Sequence, residues 1–479
     1  MKSIHITQTQ SNSCCTPAPV KQVERERESH TSNKSLPVLV IGAGPIGLAA
    51  AAHLVERGED FILLEAGKQI GQHVTEWGHV RLFSPWQYNV DKAAVKLLFA
   101  RGWSAPPKEE LPTGQQLVDL YLKPLSQLPA IQSRLYLNMK VVAVSKKDTD
   151  KMKSANREQL SFEVYAEEAG GNLIRYEARA VIDATGTWGH SNPLYASGVW
   201  TNEERSLSEN IYYGIPDVKG AERDQVIGKR IAVVGGGHSA LNTLLDLADL
   251  KASNSATEII WIMRKNSLEE AYGGEQNDQL AARGELGNRI HQLVDAKRVE
   301  VITPFRIQSA SKLNGKISLT GVRKEEALVI SDLDKIIVNT GSRPDFSFLR
   351  ELRLSMDQAT ESIDTLAPLI DPNVHSCGTV RPHGELELRH AEKGFYIVGM
   401  KSYGRAPTFL MATGYEQVRS VVAYLAGDLE AALKVELDLP ETGVCSLANA
   451  SIKGEESCCT ATPSVADEQL TNKTNKCCS

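Results

Sequence analysis

Residues 38 to 66 read VLVIGAGPIGLAAAAHLVERGEDFILLEA, and the order of residue types in this stretch decides the fold. An apolar, β-branched run from Val38 to Ile41 meets the loop Gly42, Ala43, Gly44, Pro45, Ile46 and Gly47; a helical run from Leu48 to Arg57 and a second apolar run from Phe61 to Leu64 follow. Strand, glycine loop, helix and strand in that order predict a βαβ unit. Gly42 permits a tight turn, Gly44 lets the backbone approach a pyrophosphate, and Gly47 lets helix and strand pack closely, while the helix N-terminus faces the anion. Glu65 stands 23 residues after Gly42, where a carboxylate accepts hydrogen bonds from ribose hydroxyls and disfavours a 2'-phosphate. A glycine turn with no ligand is the alternative, and the acidic residue argues against it. Leu36 to Val55 carries no Asp, Glu, Lys or Arg and is about long enough to cross a bilayer, but three glycines and a proline break it as a spanning helix.

A second unit begins at Ile231 to Val234, continues through Gly235, Gly236, Gly237, His238, Ser239 and Ala240, and runs into the helical stretch Leu241 to Leu250. Ala240 takes the third small position. The next strand, Ile259 to Met263, ends in Arg264 and Lys265 where the first unit has a carboxylate. Guanidinium pairs bidentately with a phosphate, so the exchange favours NADPH over NADH; two solvated charges at a strand end are the plainer reading. His238 is a candidate contact of the cofactor phosphates or a tolerated polar residue of the loop.

Each unit is followed by a meander. Ser161 to Tyr165 and Leu173 to Ala178 lead into Asp183, Ala184, Thr185 and Gly186; Phe305 to Ser309 and Ile317 to Val322 lead into Asn339, Thr340 and Gly341. A strand that ends in Thr and Gly lets the chain pass close to a cofactor.

The 479 residues are 42% hydrophobic and 23% charged with a net charge of −6 and a mean hydropathy of −0.25. These values predict a soluble chain of about three units and exclude a polytopic membrane protein, and no basic run tracks nucleic acid. The first 35 residues carry no secretory signal, so the expected location is cytoplasmic. Of eight cysteines, six form the vicinal pairs Cys14 with Cys15, Cys458 with Cys459 and Cys477 with Cys478. Reduced vicinal thiols suit soft, thiophilic ions such as trivalent arsenic or antimony or Cu(I); cysteine-containing tails without a role are the alternative. No CxxC or CxxxxC occurs.

The order of GAGPIG, Glu65, DATG, GGGHSA, Arg264, NTGSRP and GFYIVG resembles the flavoproteins with two dinucleotide-binding domains, including flavin-containing monooxygenases and thioredoxin-reductase-like enzymes. The resemblance covers about residues 36 to 430 and implies an α/β fold. A FAD-binding Rossmann-like domain carries an inserted NADPH-binding Rossmann-like domain, each with a β-meander. The expected partition is a disordered tail over 1–35, FAD domain over 36–190 and 341–435, NADPH domain over 191–340, and a disordered cysteine-containing tail over 436–479. It places FAD against Gly42, Gly44, Pro45, Ile46, Gly47, Glu65, Thr185, Gly186, Gly399 and Met400, and NADPH against Gly235, Gly237, His238, Ser239, Ala240, Arg264, Lys265, Thr340 and Gly341. Many relatives place an Asp after the last glycine to hold the ribityl chain; here Met400 and Lys401 follow Gly399. The aromatic stretch Thr75 to Asp91 is expected to approach the flavin, with Trp77, Phe83 and Trp86 as a dry wall and Arg81 and Ser84 bonding the cofactor.

The FxGxxxHxxx(W or Y) stretch of flavin-containing monooxygenases does not occur between Gly186 and Gly235, and neither the first helix nor the second unit contains the paired cysteines of disulfide reductases. The leading expectation is therefore NADPH-driven flavin reduction followed by oxygen-dependent oxidation of a soft nucleophile. Trivalent arsenicals or antimonite are candidate substrates, since the chain also resembles flavoproteins associated with metalloid resistance. Cys377 is either an inert thiol or one that holds such a substrate near the flavin. A reductase serving a partner protein or quinone, and a redox-sensing or metal-sequestering binding protein, are the alternatives; a homodimer is a candidate assembly.

Overall fold

The computed structural model describes residues 35–278, 280–373, 383–407 and 409–437. Strand β1 (Val38–Ile41) is buried on both faces, which is why it reads as an unbroken apolar run. Helix α1 (Pro45–Glu56) starts on a proline, whose missing N–H costs nothing in the first turn. Its Ala49, Ala50, Ala51 and Ala52 are wholly buried, because small side chains let the helix lie close on the sheet. Strand β2 (Phe61–Leu64) returns parallel to β1, Val38 opposite Phe61 and Ile41 opposite Leu64.

A two-residue strand β3 (Leu135–Tyr136) closes one edge of this sheet. The chain then leaves it for an antiparallel meander of β4 (Met139–Lys146), β5 (Phe162–Glu168) and β6 (Leu173–Ala178). Strand β7 (Ala180–Asp183) re-enters the sheet beside β1.

From there the chain passes into a second parallel sheet. It is built of β8 (Ile211–Tyr213), β9 (Arg230–Val234), β10 (Glu258–Ile262) and β11 (Glu300–Ile302), with helices α2 (His238–Ser253) and α3 (Ala281–Asp295) between its strands. A second meander, β12 (Arg306–Leu313), β13 (Lys316–Arg323) and β14 (Glu326–Leu333), precedes β15 (Lys335–Val338), which inserts between β9 and β8. Finally β16 (Phe395–Ile397) returns to the first sheet beside β7, and α4 (Met411–Leu425) packs against α1. The sheet orders are β16-β7-β1-β2-β3 and β11-β10-β9-β15-β8.

Both meanders have three strands where the sequence pattern shows two. β14 hides because it is an outer strand with only Ile330 and Leu333 buried, so it lacks an apolar alternation to read. The second sheet separates its core by face: Ile231, Val233 and Trp261 join the helix side, whereas Ala232, Val234, Ile260 and Ile262 join the meander side.

Two crossings connect the units, and they run side by side in opposite directions. Ser191 bridges Ser342, the Asn192 N–H donates to the Gly341 carbonyl at 2.9 Å, the Arg343 N–H donates to the His190 carbonyl at 2.8 Å, and the hydroxyls of Thr187 and Ser342 meet at 2.8 Å. These bonds fix how the second unit stands over the first.

Candidate functional site

In the first glycine loop each glycine has its own reason. Gly42 sits at φ +98°, and a Cβ there would lie 2.9 Å from the Ala184 carbonyl oxygen; a Cβ on Gly47 would lie 1.8 Å from the Gly42 carbonyl oxygen. Both are packing requirements. Gly44 differs, since a Cβ there would meet nothing within 4 Å. It is also the N-cap of α1, and no side chain caps that helix end. An open approach to uncapped helix N–H groups suits an anion. The Glu65 carboxylate accepts the N–H groups of Ala43 and Gly67, each at 2.7 Å, which pins it beside the loop; each oxygen keeps a further lone pair for a ribose hydroxyl. Pro45 opens α1, and Ile46 packs beneath both Gly399 and Gly414, within 3.0 Å and 2.5 Å of where their Cβ atoms would be.

The second loop repeats the arrangement. A Cβ on Gly235 would lie 2.3 Å from the Asn339 carbonyl oxygen, while one on Gly237 would meet nothing within 4 Å, and α2 again has no side-chain cap. The Trp261 indole N–H donates to the Gly235 carbonyl at 2.7 Å and holds the loop from below. Ala240 is fully buried, and the Ser239 carbonyl accepts the Thr243 hydroxyl at 3.0 Å. The Asn339 amide donates to the Gly214 carbonyl at 2.7 Å, leaving its own carbonyl oxygen buried without a partner among the described residues. A buried acceptor of that kind fits a hydrogen-bonding ligand in the cleft. Both loops therefore fit a dinucleotide.

Between the units lies a cleft of about 1020 Å³. The second unit contributes Gly235, Gly236, Gly237, His238, Ser239, Arg264, Lys265, Asn339, Thr340 and Gly341 to its wall, and Met400 with Tyr403, Phe409 and Leu410 faces them from the first. Arg264 is exposed at the rim, with one long contact of 3.4 Å to the Ala196 carbonyl. Lys265 lays its stem against Gly236 and its ammonium donates to the Glu270 carbonyl. His238, the first residue of α2, has its imidazole pushed down to about 4 by burial and then by the nearby Arg283 guanidinium. A neutral ring at ordinary pH adds no positive charge to the phosphate site.

Phe83 reaches the cleft; Arg81, Ser84 and Trp86 do not. The Arg81 guanidinium donates to the Leu111 carbonyl at 2.7 Å, and the Ser84 hydroxyl donates to the Asn89 side chain at 2.9 Å. Trp86 is buried and, with Arg81, lines a separate surface hollow of about 620 Å³ beside Trp103 and Pro106. Trp77 packs on Trp188 at 6.3 Å between ring centres. Thr185 and Gly186 follow β7, and the Thr185 hydroxyl donates to Asp183 at 2.7 Å. Cys377 and the three vicinal cysteine pairs lie outside the described residues.

Sequence reasoning missed Arg283, Asp278 and Lys401. Arg283 is held bidentately by Asp278 at 2.6 and 2.8 Å and enters the cleft wall from α3. The signal for α3 was Gly284 and Gly287 three apart: their missing Cβ atoms let the helix press on the Glu275 and Tyr272 carbonyls. Among the described residues no group of three His, Cys, Asp or Glu side chains is placed to hold a metal, and no helix is long and apolar enough to cross a membrane.

Residues 39–376 match the pyridine nucleotide-disulphide oxidoreductase family. The chain belongs to this family. A ferredoxin–NADP reductase of Streptococcus pyogenes serotype M2 is 22% identical over 395 residues, 81% of this chain and 92% of that one. Bacillithiol disulfide reductase from Bacillus cereus superposes with a TM-score of 0.58 at 18% identity over 82% of this chain and 99% of its own. The ornithine N-hydroxylase of Kutzneria sp. 744 does so with 0.53 at 14% over 82% and 99%. As a pyridine nucleotide-disulphide oxidoreductase family member the protein is an enzyme, an oxidoreductase that uses FAD and NADPH.

Proposed function

We propose that this oxidoreductase is an NADPH-dependent flavin monooxygenase that oxidises a soft nucleophile, with trivalent arsenicals or antimonite as the candidate substrates. FAD lies against Gly42, Gly44, Gly47, Glu65, Thr185, Gly186, Gly399 and Met400 in a domain of residues 36–190 and 341–435. NADPH lies against Gly235, Gly237, Ser239, Arg264, Lys265, Thr340 and Gly341 in the domain of 191–340. One observation carries the reading: residues 16–376, which include both glycine loops and the whole of the family match, contain no cysteine, so no internal dithiol there relays electrons out of the cleft. They leave through whatever the cleft admits. Held by the Gly42–Gly47 loop and Glu65, FAD would supply the redox chemistry of the reaction, in which NADPH gives up a hydride, one atom of oxygen enters the substrate and the other leaves as water. The chain's own contribution is orientation and dryness. Phe83, Met400, Tyr403, Phe409 and Leu410 keep water from the reacting edge, and Glu65 and the two uncapped helix ends hold the dinucleotides. The vicinal cysteine pairs capture the thiophilic ion.

The test is a stoichiometry. With arsenite or a trivalent organoarsenical, NADPH and oxygen should disappear in equal amounts with one pentavalent product formed and little peroxide. Peroxide equal to the NADPH consumed, whatever the addition, would refute the monooxygenase. The ferredoxin–NADP reductase relatives supply a second reading, a reductase for a protein partner, which predicts fast anaerobic reduction of ferredoxin by NADPH through this enzyme.

A further inference from the structure

The ammonium of Lys401 lies 2.6 Å from Asp183 Oδ2, and both side chains are fully buried. Two charges withdrawn from water carry a desolvation cost of several kcal/mol each unless their remaining valences are filled. Here they are filled. Asp183 Oδ1 accepts the Thr185 N–H at 3.1 Å and its hydroxyl at 2.7 Å, the Thr185 oxygen accepts from Lys401 at 3.1 Å, and the ammonium stands 4.5 Å from the centre of the Phe348 ring. A buried pair is weak evidence for stability, since apolar packing of the same volume does as well. Its geometry is what apolar packing cannot supply.

That geometry joins two neighbouring strand ends at the first cradle. Asp183 ends β7 and pairs with Ile397 of β16, and the next residue, Ala184, supplies the carbonyl against which Gly42 is packed. Lys401 lies in the turn Gly399–Tyr403 that follows β16. Gly399 begins that turn at φ +71° over Ile46, and its N–H donates to Gln417 at 2.7 Å. With Lys401 drawn inward, its neighbour Met400 lines the cleft. We infer that the Lys401–Asp183 pair is a positioning device for FAD: it locks the Gly399–Met400 turn and the Thr185–Gly186 turn in one register around the cofactor. The inference rests on FAD occupying the first glycine loop.

The experiment titrates FAD into apoprotein of the full chain and follows flavin fluorescence, the visible spectrum and the melting temperature. Lys401→Met leaves a buried, unpaired carboxylate, and should weaken FAD at least tenfold while lowering the melting temperature. Lys401→Met with Asp183→Leu removes both charges. It should recover the melting temperature while FAD remains at least tenfold weaker and the bound flavin band stays shifted. Recovery of wild-type affinity and spectrum in that double variant would make the pair merely structural and overturn the inference. If neither variant folds, Asp183→Asn decides: it keeps the side chain's shape and an oxygen for the Thr185 N–H while removing the charge that draws Lys401 inward, and should weaken FAD severalfold; an unchanged affinity overturns the inference. Gly44→Asp separates the two claims. Should it keep FAD, the loop assignment fails; should it lose FAD while the Lys401 variants keep it, only the positioning role fails.

Discussion

The ring of Phe83 lies 5.2 Å from the ring of His238, tilted by 45°, and the contact crosses from the first unit to the first residue of α2. Arg283 stands 5.9 Å from the centre of the same Phe83 ring, so an aromatic side chain of one unit is held between two side chains of the other at the mouth of the nucleotide loop. Such ring contacts contribute about 0.5–1.5 kcal/mol. Phe83→Ala should therefore raise the KM for NADPH by about two- to tenfold while the FAD content of the purified enzyme is unchanged. Steady-state NADPH oxidation beside the absorbance of bound flavin measures both, and a loss of flavin would instead place Phe83 in the first cradle.

The glycines of the first loop should separate by variant. In Gly47→Ala the new Cβ falls on the Gly42 carbonyl, and overpacking of this kind costs about 1–3 kcal/mol or more. Gly44→Ala enters open space at φ −80°, so the apoprotein should melt as wild type does while FAD affinity drops. Melting curves of the two apoproteins and FAD titrations check this. Equal melting losses in both would mean that the loop is closed by packing alone.

Much of this was legible because parallel strands and glycine loops leave strong marks. The strands Val38–Ile41 and Phe61–Leu64 follow from burial within the sheet, which writes them as unbroken apolar runs. Within the aromatic stretch only Phe83 lines the cleft between the units: Arg81 donates to the Leu111 carbonyl 30 residues on, Ser84 bonds Asn89 in its own turn, and Trp86 joins the core. Periodicity cannot distinguish a wall from a core when both want aromatic residues. Lys401 was beyond reach for another reason. A lysine in a glycine-rich turn reads as solvated, and only the approach of β7 to β16, about 218 residues apart in sequence, supplies its carboxylate.

Under the proposed function Arg264 sets coenzyme choice. It is exposed at the cleft rim, and its one hydrogen bond among the described residues is a long one of 3.4 Å to the Ala196 carbonyl, so its guanidinium is free to turn toward a 2'-phosphate. Arg264→Glu should weaken NADPH relative to NADH by about 1–3 kcal/mol, the scale of a charge-assisted bond. The ratio of kcat/KM for the two coenzymes reads this directly. Equal losses with both would remove Arg264 from the phosphate site.

His390 gives the enzyme a pH-dependent stability. Burial pushes its imidazole from 6.5 down to about 4; Nδ1 accepts the Ser355 N–H at 3.2 Å, and Nε2 is buried with no partner among the described residues. The unfolded chain takes up a proton below 6.5, whereas the folded chain does so only near 4. Stability should consequently fall as pH drops through that window, by about 1.4 kcal/mol per pH unit for this one group, and rise again toward neutrality. His238 has the same sign, so the histidine contributions separate only by variant. His390→Gln keeps a polar side chain beside Ser355 and removes one titrating proton. Urea unfolding at pH 7, 6 and 5 should then show wild type losing stability faster than the variant, the gap narrowing steadily as pH falls. Parallel losses in both proteins would mean that His390 does not titrate in this window.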